Sequence, residues 1–152
     1  MFGKKIKKKD DTVIFQIQKI YIKDVSFESP HSPNIFKETW NPKISCDLNN
    51  IFNKLKEFLF EVTLRVIVKV HINFKLVFLC EVHQSGIFYI KGLSDKKLLY
   101  CLGVYCPDIL FPYVRECVSS LTSRGGFPNL NLDPVNFDTI FKKNNENKDL
   151  LK

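Results

Sequence analysis

The sequence predicts an α+β domain, a four-stranded antiparallel sheet with two helices packed on one face. Two observations carry that prediction. As far as Lys91 the apolar residues recur mostly at every second position, and beyond Gly92 they recur at every third or fourth. A chain of 152 residues with 45% hydrophobic and 26% charged content suits one globular domain and excludes a disordered chain.

Within residues 13–27, Phe15 and Ile17 alternate with Gln16 and Gln18. The apolar parity then moves to Ile20 and Ile22, and moves again to Val25 and Phe27. Two parity shifts in one run predict a bulged or strongly twisted strand. Ser29-Pro30-His31-Ser32-Pro33 is a loop, because each proline removes a donor and biases its predecessor away from helix. A second extended segment is expected over residues 43–48, with Ile44, Cys46 and Leu48 on one face. The third strand begins at Phe60. Val62, Leu64, Val66, Val68, Val70 and Ile72 continue its apolar face, against Glu61, Thr63, Arg65, Lys69 and His71 with Ile67 among them. Residues 75–91 read as a fourth strand interrupted at Ser85-Gly86, and Asn73-Phe74 as the hairpin that joins it to the third.

After Gly92, Leu98, Leu99, Leu102 and Cys106 suit a turn or two of helix, with a break expected at Pro107. Pro112 is placed in the first turn of a longer helix. Leu110, Val114, Cys117 and Leu121 form its apolar stripe, opposite Arg115, Ser119 and Thr122. Arg124-Gly125-Gly126 ends it. Residues 127–136 are a loop rich in Pro and Asn, followed by a short amphipathic helix over 137–141.

The net charge of +7 is unevenly placed. Residues 1–9 contribute Lys4, Lys5, Lys7, Lys8 and Lys9, and residues 142–152 four lysines against Glu146 and Asp149. The body between is neutral, with 14 basic and 14 acidic residues. The expected organisation is a basic flexible arm at 1–12, one domain at 13–141 and a flexible tail at 142–152. A basic arm attracts nucleic acid, acidic protein or anionic lipid without specificity. An RNA- or ribosome-surface-binding role through Lys4–Lys9 is therefore the alternative function, not the favoured one.

Enzyme signatures are missing: no GxxxxGK[ST], no GxGxxG, no CxxC and no HExxH. Cys80 and His83 are three apart, which on a strand sends them to opposite faces, so no metal site is expected. No nucleotide or metal cofactor is called for, and no catalytic residue. No apolar run is long enough to span a membrane, and the N-terminus has no secretory pattern. The five cysteines are then expected as reduced thiols of the cytosol.

Two features point to recognition. Phe36, Trp40, Phe127, Phe137 and Phe141 lie outside the regular strands, where aromatics either cap the core or line an apolar groove. Asp24 and Glu28 share one parity, as do Leu79 and Glu81, so the four make either an acidic-apolar platform or an ordinary solvated sheet face.

The stretches FQIQKIYIKDVSFESP (15–30), FLCEVHQSGIF (78–88) and CLGVYCPDILFPYVRECVSSLTSRGGFPNLNLDPVNFD (101–138) are recognisable. The chain resembles the SecB family of bacterial export chaperones over about residues 14–141. The resemblance implies a cytoplasmic, nucleotide-independent chaperone that holds unfolded precursor proteins and passes them to the SecA motor ATPase. It implies a homotetramer built as a dimer of dimers. By position it assigns Asp24, Glu28, Leu79 and Glu81 to the SecA-binding face and Phe36, Trp40 and Phe137 to the client groove. The helix carrying Leu110, Val114, Cys117 and Leu121 would pack dimer on dimer. The chain departs from the family in its basic ends. KKNNENKDLLK replaces the usual acidic tail, and HINFKL at 71–76 matches no family feature.

Overall fold

The structure, a computed structural model, describes residues 12–150, with side chains through Asn145. The basic arm carrying Lys4–Lys9 lies outside the described residues.

Four strands, β1 (Ile14–Glu28), β2 (Lys43–Lys56), β3 (Leu59–Ile72) and β4 (Lys75–Lys91), form one antiparallel sheet in the order β1-β4-β3-β2. Register breaks in β1 fall between Ile17 and Lys19 and between Ile22 and Asp24, where the apolar parity of the sequence shifts. Each bulge absorbs one residue, so Phe15, Ile17, Ile20, Ile22, Val25 and Phe27 all fall opposite inner-face residues of β4. The two hairpin turns rest on left-handed residues other than glycine: Phe58 (φ 62°) between β2 and β3, and Asn73 (φ 48°) with Phe74 (φ 64°) between β3 and β4.

β2 runs well beyond the expected residue 48. Its second half loses the apolar alternation, since Asn50 and Lys54 stand on the inner face opposite Leu64 and Phe60. Asn50 is held there because its Nδ2 donates to the Leu102 carbonyl at 3.0 Å.

The expected break at Pro107 does not occur. α1 (Asp95–Tyr100), started by the Ser94 cap, runs through a π segment (Cys101–Tyr105) directly into α2 (Cys106–Arg124). Pro107 has no N–H and its ring crowds the carbonyl four residues back. Widening the preceding turn, so that the Cys106 N–H reaches the Cys101 carbonyl, keeps the helical path. Pro112 is likewise inside α2 rather than in its first turn. Leu110 and Val114 are fully buried, as is Val118, with Cys106 and Thr122 extending the same stripe. Cys117 and Leu121 are half-buried at its margin.

α2 lies on β4 and β3. Under it, Val62, Leu64, Val66, Val68, Val82 and Phe88 are wholly buried. α3 (Phe137–Leu150) continues past Phe141 into the residues expected as tail. The Asn136 side chain caps it by accepting from Thr139 N–H at 3.1 Å. It docks through Tyr100 Oη, which donates to Asp138 at 2.6 Å, and through the Phe141 ring, which lies where a Cβ on Gly103 would be.

Candidate functional site: an aromatic groove and an acidic sheet face

The inner-face site is built by the end of α2. Gly126 takes φ 86°, open to glycine at little cost, and the chain closes a Schellman cap: Phe127 N–H donates to Thr122 O at 3.1 Å and Gly126 N–H to Ser123 O at 3.0 Å. This turn delivers the Phe127 ring onto Phe78 of β4, with centroids 5.3 Å apart. Phe78 in turn stacks on Phe27 of β1 at 5.3 Å. From the other side, the 3₁₀ turn Asn34–Lys37, anchored by buried Ile35, presents Phe36 to Phe127 at 5.2 Å, and Trp40 stacks on it at 6.0 Å. Phe127 is buried, while Phe36 and Trp40 remain 51% and 42% exposed. A Cβ on Gly126 would press on the Phe36 ring at 3.2 Å, so this glycine also keeps the groove open.

Of the aromatics singled out for this groove, Phe36 and Trp40 are brought together. Phe137 is not with them. It is 5% exposed and edge-on to Phe111 of α2 at 6.0 Å. In the protomer it braces the helix and offers almost no surface.

The outer face of the sheet carries the second site. β1–β4 pairing sets Asp24 opposite His83, Ser26 opposite Glu81 and Glu28 opposite Leu79, so all four expected residues share this face at one end of the sheet. Sequence reasoning missed the two basic side chains that organise it. Arg65 Nε and Nη2 both lie 2.9 Å from Glu81 Oε1, and His83 Nε2 lies 2.8 Å from the same oxygen. The bond from His83, followed by Arg65, holds the Glu81 carboxyl below its ordinary value despite partial burial. The signal was available, because the hairpin register places Arg65 directly opposite His83. Farther along, Lys23 and Tyr21 both donate to Glu61 and keep it ionised below its ordinary range. Burial and the Glu61 bond push the Tyr21 hydroxyl up to about 12. Asp24 and Glu28 have no ion pair among the described residues.

Four of the five thiols are buried or partly buried. Burial raises Cys80 to about 11 and also raises Cys117, whereas Cys46 is exposed on β2 and is raised by partial desolvation with Asp47 beside it. Cys106, wholly buried, is raised by its bond to Cys101 and by burial; that bond holds Cys101 down, but Cys101 is only 5% exposed. Cys80 is on the inner face and His83 on the outer, as their spacing predicts.

The family model described as preprotein translocase subunit SecB matches residues 8–148. The chain belongs to the SecB family. It is 53% identical over 148 residues to the protein-export protein SecB of Buchnera aphidicola subsp. Schizaphis graminum, covering 97% of this chain and 94% of that protein. Among solved structures it is similar to a SecB-like chaperone of Mycobacterium tuberculosis, determined in complex with a ChAD peptide from the HigA1 antitoxin. That likeness has a TM-score of 0.67 at 17% identity, over 80% of this chain and 90% of that one, and it is a likeness of fold. This SecB-family chain is a protein of preprotein export. No helix among its described residues is long and apolar enough to cross a membrane.

Proposed function

We propose that this chain holds extended, unfolded segments of precursor proteins in the Phe36–Trp40 groove and hands them to the SecA motor at its outer sheet face, in the bacterial cytoplasm and without nucleotide or other cofactor. The observation that carries the proposal is the pair of half-exposed rings seated on Phe127, beside the inner face of β2, where Ile44 is 51% exposed. Such a shallow apolar surface suits any unfolded chain and no folded one, because folded proteins bury the segments it would bind. Phe137 serves it indirectly, by fixing α2.

The working form is a homotetramer, a dimer of dimers. Linked weak sites can gain about 10²–10⁴ over a single one. Leu110 and Val114 face the sheet of their own protomer, so the packing of helix on helix uses the outward half of α2, with Cys117 and Leu121 at its edge. At the outer face, Asp24 and Glu28 supply attraction to a cationic part of SecA. Glu81, set by Arg65 and His83, fixes the local charge pattern around Leu79.

Light-scattering mass on the purified protein, alone and with an unfolded precursor, tests this. A mass near four chains that rises with unfolded but not folded precursor is expected. A monomer indifferent to unfolded chains would refute it. Replacing Glu81 with Lys is expected to weaken SecA binding about tenfold and leave precursor uptake intact. Equal loss of both would refute the division between the faces.

A further inference from the structure

One residue of the fold is exposed with no structural reason to be there. Phe74, second of the two central residues of the β3–β4 turn, is 98% exposed. It holds φ 64°, in a two-residue turn whose central residues are both left-handed, a position that favours glycine and penalises a bulky side chain. Glycine would serve the turn better and a charge would serve solubility better. Among the described residues the ring packs on no other aromatic ring, and Lys43 Nζ lies 5.8 Å from its centroid.

The tip is also tied to the groove on both sides. Lys43 is three residues beyond Trp40, within about 10 Å of chain. Lys75, next to Phe74, pairs with Glu38 at 3.4 Å, and Glu38 follows Phe36 by two residues. Phe74 therefore stands on the hairpin that Lys75–Glu38 and Lys43 tie to the segment carrying Phe36 and Trp40, the two rings that flank Phe127.

We propose that Phe74 is an additional contact residue of the client groove, which engages a large apolar side chain of an extended segment already lying across Phe36 and Trp40. It lengthens the groove and biases it towards segments with a second aromatic or aliphatic residue beyond the first. The inference rests on the client-binding reading above and specifies it further. Lys43, drawn over the ring, favours the same ring over an aliphatic substitute at this tip, since a cation is attracted to an aromatic face.

The test uses the full chain with Phe74→Gly and Phe74→Trp, and a reduced, carboxymethylated protein as permanently unfolded probe. Phe74→Gly relieves the turn, so its thermal midpoint should equal or exceed that of the wild type. Its affinity for the probe should nevertheless fall about five- to tenfold, while Phe74→Trp retains it. Unchanged probe affinity in Phe74→Gly, with wild-type binding intact, overturns this inference and leaves the groove itself standing. Absence of probe binding by the wild type overturns both readings. A change in the mass of the probe-free assembly in Phe74→Gly would assign the ring to contact between copies and overturn the inference in a third way.

Discussion

The central and the edge strands of this sheet carry apolar residues on the same inner face, with opposite fates. Val62 and Val66 of β3 and Val82 of β4 are 0% exposed, whereas Ile22 of β1 and Ile44 of β2 are 56% and 51% exposed. The difference is one of width. A helix with its side chains is about 10–12 Å across, and strands are spaced about 4.8 Å apart, so α2 covers the middle pair and leaves the outer pair bare. Two apolar margins of the sheet therefore stand bare in the protomer.

The largest effect expected is the test of that contrast by substitution. Leu110→Ala opens a cavity beneath α2 and should cost about 2–5 kcal/mol of unfolding free energy in urea. Ile44→Ser should cost under about 1 kcal/mol, because the side chain is already half in water, yet lower precursor uptake. Should Ile44→Ser destabilise as much as Leu110→Ala, the bare margin would be covered in the folded assembly and the contrast would belong to the isolated protomer only.

Gly126→Ala comes next. A left-handed alanine costs about 1–2 kcal/mol, and here its Cβ also meets Phe36 at 3.2 Å. Lower stability together with weaker client binding is expected. The paired readout separates it from Leu110→Ala, whose cost falls on the core.

The same contrast explains what could be read in advance. Central strands have one buried and one wet face, so β3 announced its whole length, and the β1 bulges were visible as parity shifts. The margins were harder. β2 beyond residue 48 is held by backbone pairing and by Asn50 on Leu102, neither of which needs apolar alternation. The β2–β3 turn uses Phe58 in the left-handed region, where no Gly or Pro marks it. The groove was legible as a set of aromatics outside strands, but which of them stay exposed depended on the Gly126 turn and on how α3 docks. Phe36 and Trp40 emerged at the surface and Phe137 did not. On the outer face the carboxylates were visible by parity, while the pairing of Glu81 with Arg65 and His83 needed the register.

The smallest expected effect concerns pH and sharpens the comparison on the outer face. Glu61 and Glu81 both have folded-state values lowered below the ordinary 4.5, through Lys23 with Tyr21 and through His83 with Arg65. A lowered carboxyl stabilises the fold above its unfolded value, and that contribution disappears as pH falls through the folded value. Stability should therefore be flat with respect to these two groups from neutral pH down to about 5, then decline below 4.5. These pairs are partly exposed, so each should be worth no more than about 1 kcal/mol. Glu81→Gln should shallow the acid limb of a urea-midpoint series without moving its neutral plateau by more than that amount. The groove rings carry no charge and the carboxylate beside them, Glu38, is held in an exposed pair with Lys75 at 3.4 Å, so probe binding per folded molecule should change little over the same interval. A groove affinity that fell in step with the acid limb would tie the two faces together, and the sheet would be transmitting the protonation of one side to the ligand on the other.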